Sequence, residues 1–442
     1  LAERKKAQEI KLLLLGDIPD LIRTTRWFEV EKALRPWGEK GLQDVQNWNQ
    51  LDPDTPSATE QVCLEILEEI YLANQGVFQV IHNFPQALRQ KINENITEYP
   101  HLNENLAKLS IDVIYVPGNH DRLCNLYPSV RSRLANLLNL TCTAETIELD
   151  DRGNWWYRNE FIAADYGVYA RHGHEYDAYN YAGSNRYVRQ DHLQVPVGDI
   201  IATEMIAGLP YIAEKYNEPE LKEKLEAIDD VRPLRNLGEW FHTNVYQKTR
   251  ASNKGPLLEI FEQALNNTLS VPYAPSTTPA IYRFAASSFG RGLINFMLKL
   301  LGAVSITLKE RLLFNLAAVI LDSREKEPDE HTTAAFQTQQ TNNQVRYVVY
   351  GHTHRPKVTP LAVKNNLPVI YINTGTWRDR WQRTVELDRD PNFVAIKHMT
   401  YAVFYRADED RGQGNESNKA PGTVSMDVWD GFKQKLYREE LR

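Results

Sequence analysis

Two short runs carry most of the chemistry open to this chain. One is Gly118-Asn119-His120-Asp121, directly after the apolar residues 111–116; the other is Gly351-His352-Thr353-His354, directly after residues 345–350. Two further junctions have the same form: residues 12–15 run into Gly16-Asp17, and residues 167–171 run into His172-Gly173-His174. Each puts a carboxylate, amide or imidazole at the C-terminal end of a strand, where an open α/β sheet presents its ligand crevice. A carboxylate, an amide oxygen and several imidazoles make a ligand mixture suited to Mn, Fe or Zn. Read singly, each motif has a plainer use. An Asp after a strand is often a turn former, Asn-His-Asp serves as an Asx turn, and either His172 or His174 can cap a strand. Four such junctions in one chain point to a metal centre. His352 and His354 stand two apart, so in an extended run they project to one side and reach adjacent ions.

In this order the motifs resemble the calcineurin-like metallophosphoesterase superfamily, whose pattern is Asp-x-His, Gly-Asp, Gly-Asn-His-Asp, a lone His, then Gly-His-x-His. The last four fall at Gly16-Asp17, Gly118 to Asp121, His172 and Gly351 to His354. The resemblance covers roughly residues 10–175 and 343–400. It implies an α/β fold, a metallophosphoesterase-type β-sandwich of two mixed sheets flanked by helices, here with a helical insert. It implies two divalent metal ions and a phosphoric ester hydrolase. Asp17 would bridge the pair, because a carboxylate can bind two cations at once. Asn119, His172 and His352 would complete one metal with it, and His354 would serve the other. His172 is preferred to His174 because it ends the strand. His120 would be the catalytic group that assists the leaving oxygen, its tautomer fixed by Asp121. The cations would clamp the phosphoryl oxygens and acidify a bound water for in-line attack.

One departure stands out. No Asp-x-His precedes Asp17, and the one such triplet, Asp329-Glu330-His331, lies in a polar, Pro-flanked segment with no strand before it. The chain opens on Leu1 within a helix-forming run, residues 1–9. Truncation of a longer reading frame, with the first motif strand upstream, is the favoured explanation; a degenerate member is the other. The substrate expected is a small or medium phospho-compound: a phosphodiester, pyrophosphate or phosphomonoester. Bacterial lipid-A-precursor pyrophosphohydrolases look similar around residues 12–23 and 351–356, though they usually carry Arg where His120 stands. The alternative from another class is a non-catalytic binding scaffold on the same fold, with a degenerate metal site.

Composition sets outer bounds. The 442 residues are 42% hydrophobic and 25% charged, enough apolar content for a full core. A formal net charge of -7 argues against a nucleic-acid partner held by phosphate contacts. Three cysteines without metal spacing fit a reducing cytosol, hence a cytoplasmic protein. The most apolar stretch, residues 293–321, is broken by Lys299 and Lys309-Glu310-Arg311, against a membrane span. Phe296, Met297, Leu298, Leu300 and Leu301 read as helix core rather than a membrane-docking cap.

The elements that must position these residues alternate at first. Strands are expected at 11–15, 111–116, 141–149, 160–164 and 167–172, with helices at 61–84, 101–109 and 123–140. Such alternation implies a largely parallel sheet. Helical patterns then dominate: 199–216, 239–250, 257–269, 290–301 and 306–321. Strands resume at 345–350, 368–372 and 393–404, with a helix at 424–441. The organisation expected is therefore a core over 1–196, a helical insert over 197–342, the rest of the core over 343–406, and a loop and C-terminal helix over 407–442. The run Asn373-Thr374-Gly375-Thr376-Trp377 resembles a segment that follows Gly-His-x-His in many bacterial members; it is expected either to bring backbone close to the site through its Gly or to be a simple strand-end turn. Residues 175–181 read as a polar surface loop rather than as cleft lining.

Overall fold

The computed structural model describes residues 7–98, 109–231, 236, 240–249, 254–272, 283, 329–341, 344–385, 392–407 and 424–434. The helices expected at 290–301 and 306–321, and all but the last residue of that at 101–109, fall outside these, as does the apolar cluster from Phe296 to Leu301. Within them the protein is mixed α/β with several small sheets. Strands β1 (Glu9–Leu15) and β2 (Ser110–Val116) pair in parallel, Leu15 opposite Val116. A hairpin joins β3 (Ile147–Leu149) and β4 (Trp155–Tyr157). The largest sheet contains β5 (Phe161–Ala163), β6 (Val168–Ala170), β7 (Tyr347–Tyr350), β8 (Pro356–Lys364) and β9 (Leu367–Thr374), in the order β5-β6-β7-β9-β8. A further sheet is the antiparallel ribbon of β10 (Asp379–Arg383), β11 (Phe393–Tyr405) and β12 (Ser425–Gln434).

Period-two patterning decides how the layers meet. In β7, Tyr347 and Val349 face one way, packing with Val168, Ala170 and Ile372 against Leu13 and Leu15 of β1. Val348 and Tyr350 face the other way, toward Ala334 and Ala335 of the helix Glu330–Thr341. On the far side of β1 and β2, Leu14 and Tyr115 pack among Val62, Ile66, Leu67, Val130 and Leu134 of the helices Ala58–Ala73 and Pro128–Leu138. Each fully buried aliphatic side chain at these faces, Val348 and Ile372 among them, contributes about 1.5–3 kcal/mol. Helix, sheet, sheet and helix thus lie in sequence around three apolar seams.

Three expectations need correction. The sheets are not largely parallel: β5–β6, β8–β9 and the whole β10–β12 ribbon are antiparallel. The helix expected at 61–84 breaks at Asn74, and that at 123–140 breaks at Tyr127 before Pro128, whose fixed φ suits the first turn of a new helix. Over residues 425–434 the expected C-terminal helix is instead β12, because the edge of β11 offers a ladder from Ile396 to Tyr405, while 435–441 lie outside the described residues.

Residues 197–272 gather their own core, with Ile201, Met205, Leu209, Trp240, Phe241 and Phe261 packed together and Phe393 of β11 against them. One helical run among the described residues, Arg189–Lys215, is long and apolar enough to cross a membrane, but 78% of its most apolar window is buried within the protein.

Candidate metal centre

Four strand ends deliver their side chains to one place. Among the described residues, Asp17, His172 and His352 each bring one ligand atom to within 4.8 Å of the others. Asp17 Oδ2 lies 3.2 Å from His172 Nε2, and Asp17 Oδ1 accepts the backbone N–H of His120 at 3.0 Å. Asn119 joins the group: its amide nitrogen donates to Asn180 Oδ1, which turns its own oxygen to His352 Nδ1 at 3.1 Å. Parallel pairing puts β1 and β2 side by side and β6 and β7 side by side, so their C-terminal loops all open toward the same edge.

Glycines make this approach geometrically feasible. A Cβ on Gly16, whose φ is +76°, would overlap the His172 ring, and one on Gly118 would overlap the Asp17 carboxylate. Asp17, His352 and His354 themselves adopt left-handed φ values of 54°, 62° and 59°. That conformation costs roughly 1–2 kcal/mol for a residue with a Cβ, so the surrounding contacts must impose it. It also corrects the extended-run expectation. His352 and His354 are not on one strand face, and His354 lies outside the triad, its backbone carbonyl accepting from Arg380 at 2.6 Å.

Proton bookkeeping leaves a place for a cation between these groups. His172 Nδ1 faces the Leu15 carbonyl at 2.9 Å, and a carbonyl can only accept, so Nδ1 carries the proton of a neutral ring. Nε2 then points a lone pair at a carboxylate oxygen, and it is buried without a hydrogen-bond partner. Two acceptors face to face need either a second ring proton or a shared cation. Without a cation, burial lowers the His172 pKa while Asp17 raises it, and the balance stands at about 9. His352 repeats the arrangement, with Nδ1 on Asn119 and Nε2 3.1 Å from Asp177 Oδ2. The donor set, one carboxylate, one amide oxygen and two imidazoles, fits Mn, Fe or Zn.

The partner of His120 differs from expectation. Its Nδ1 lies 3.1 Å from Asp20 Oδ1, not on Asp121. Asp121 is fully buried and accepts the backbone N–H groups of Ile18 and Gly118, so it ties the loops after β1 and β2 together. Asp20 is in turn held by Arg23 at 2.8 Å, and Arg23 pairs with Asp229 from the helical region. Burial opposes a charged His120, but Asp20 and then Asp17 outweigh it and hold the ring at about 9, against an ordinary 6.5. The stability from this pair is full between pH 3.8 and 6.5; it is lost as pH rises through about 9 and His120 gives up its proton, and again in acid as Asp20 takes one up. Asp20→Asn is expected to lower the His120 pKa by about 1–3 pH units, followed through the ring-proton NMR shifts. An unchanged titration would show that Asp20 does not set it.

Several residues were missed in the sequence. Residues 175–181 are not a surface loop: Glu175 is buried and Asp177 reaches His352. His331, from the Asp-x-His set aside above, brings its ring to 5.6 Å from that of His352. Asn373 supports the site from beneath, donating to the Gly351 carbonyl at 2.6 Å, while Gly375 at φ +67° lets Pro356 pack close. A second group, His174, Glu175 and His192, also brings its donor atoms to within 4.8 Å. Among the described residues there are thus two His/Asp/Glu triads able to hold metal ions. It matches no model of a known protein family, no curated protein and no solved structure.

Proposed function

We propose that this chain is a metal-dependent phosphoric ester hydrolase of the calcineurin-like metallophosphoesterase type. The observation that carries the reading is the convergence of Asp17, Asn119, His172 and His352 from four strand ends, with His172 Nε2 3.2 Å from the Asp17 carboxylate. The helix–sheet–sheet–helix order of packing supports it, since it matches the sandwich the resemblance implies. Asp17, Asn119, His172 and His352 would hold a divalent cation such as Mn, Fe or Zn; His331, its ring 5.6 Å from that of His352, and His354, by its place in the motif, are candidates toward a second. Cations bound there supply charge for the phosphoryl oxygens and acidify a water.

The chain's own groups do the rest. His120, kept protonated by Asp20 and Asp17, is the general acid that gives a proton to the leaving oxygen. Asp121 positions the two loops that carry Asp17 and Asn119. Asp177 and Asn180 orient His352 and Asn119, as partners of ligands commonly do. A phosphodiester, pyrophosphate or phosphomonoester is the substrate class.

A binding scaffold is the second reading, favoured by the absence, among the described residues, of a metal-capable triad around His354. Turnover separates the two. Manganese-loaded protein is expected to hydrolyse bis-p-nitrophenyl phosphate or p-nitrophenyl phosphate, and EDTA to abolish it. Manganese binding without hydrolysis of either ester would leave the scaffold.

A further inference from the structure

The second triad has features the proposed reaction does not use. His174 and Glu175 follow β6 in the turn His174–Tyr176, and His192 comes from the helix Arg189–Leu193. Their exposures are 3%, 7% and 5%, so the cluster has no open face. Three of its polar atoms, His174 Nδ1, Glu175 Oε1 and His192 Nδ1, are buried without a hydrogen-bond partner. Tyr181 packs its ring 5.3 Å from that of His192, and its hydroxyl is likewise buried without a partner.

The tautomer of His192 is fixed. Its Nε2 lies 2.8 Å from the Arg186 carbonyl, so in the neutral ring Nε2 holds the proton and Nδ1 is a bare lone pair. That lone pair faces Glu175 Oε1 at 4.0 Å, while His174 Nδ1 faces Oε2 at 3.9 Å. Arg171 does not answer this need: its Nε is 3.5 Å from Oε1 without a hydrogen bond, and its charge is shared with Glu160. A bridging water, hydrogen-bonded at about 2.9 Å with tetrahedral angles, would hold its partners roughly 4.7 Å apart. A tetrahedral cation about 2.1 Å from each donor holds them roughly 3.4 Å apart. The spacings of 3.9 and 4.0 Å are too short for that water and within a small closure of the cation's.

We propose that His174, Glu175 and His192 hold a structural zinc ion that pins the loop carrying His172 and Asp177. Two imidazoles and a carboxylate suit zinc, and a closed site suits a structural rather than a reactive metal. Gly173, at φ +103°, lets the chain reverse so that His172 turns to the first triad and His174 to the second. The two rings stand 5.5 Å apart, so the pinned loop fixes the first site from behind.

The test is the zinc content and Tm of the full chain, stripped by chelator and reloaded with zinc alone. Asp17→Asn and His352→Ala, which disable the first triad, are expected to keep one zinc per chain. His192→Ala is expected to lose that zinc, and with it the fall in Tm that chelation causes in the parent. Glu175→Gln keeps the size and the acceptor for the Gly173 N–H, and serves as the second variant should His192→Ala not fold. Two results overturn the proposal: folded His192→Ala or Glu175→Gln with parental zinc content, or Asp17→Asn and His352→Ala chains that hold no zinc. Zinc retained here by a chain with no hydrolase activity leaves this inference standing and removes only the proposed reaction.

Discussion

His172→Ala is expected to lower phosphodiester turnover by more than about a hundredfold and to weaken manganese binding at least as much. The size follows from position. Removing a residue that merely orients a metal ligand typically costs about 10–100-fold, and His172 would itself be a ligand of the proposed centre, 3.2 Å from Asp17 and almost fully buried. Its loss also leaves the Leu15 carbonyl and the Asp17 carboxylate facing a buried void. Steady-state kcat/KM with bis-p-nitrophenyl phosphate and a manganese titration measure the two effects. Asp177→Asn, which only orients His352, should fall within the smaller range and so calibrates the comparison. Parental manganese affinity in a folded His172→Ala chain would remove the metal centre from its proposed place.

The largest loss of stability is expected from Asp199→Ala. Asp199 Oδ2 accepts from Arg122 Nε at 2.9 Å and Nη2 at 2.7 Å, and Arg122 also donates to the Leu193 carbonyl. Arg122 is 3% exposed and Asp199 2%, so the alanine variant leaves a guanidinium without its counter-ion in the interior. Breaking a buried pair in this way costs about 3–5 kcal/mol. By contrast Glu220→Ala, which removes the exposed partner of Lys224, should cost only about 0.3–0.5 kcal/mol. Urea midpoints at constant m-value read both. Arg122 directly follows Asp121, and Leu193 directly follows His192, so this pair ties the loop after β2 to the helix behind the second triad. A loss below about 1 kcal/mol in Asp199→Ala would mean that water reaches the guanidinium.

Much of the first site could be read from local sequence, and the reason is mechanical. Strand and loop adjacency is a local property: a buried run ending in Gly-Asp, Gly-Asn-His-Asp or Gly-His-x-His puts its polar residues at a strand's C-terminal end wherever that strand goes. Asp17, Asn119, His172 and His352 were legible for that reason, and the structure brings them together. His354 failed the same logic, because its φ of 59° takes it off the extended geometry that the spacing argument assumed. The C-terminal strand was misread as helix although Met426 and Val428 alternate with Asp427 in strand fashion; only the waiting edge of β11 decides it.

By itself, then, the sequence determined which strand ends carry metal-capable side chains and that helices and strands alternate before a helical region. Only the tertiary structure decided which groups meet. Asp20 rather than Asp121 takes His120, Asp177 takes His352, and His192 faces Glu175. Each of these depends on how chain segments pack and on one backbone turn or another, and a spacing along the chain sets neither. The strength of a charged or metal-binding contact depends on distance and burial in space, and these are fixed only once the layers have closed.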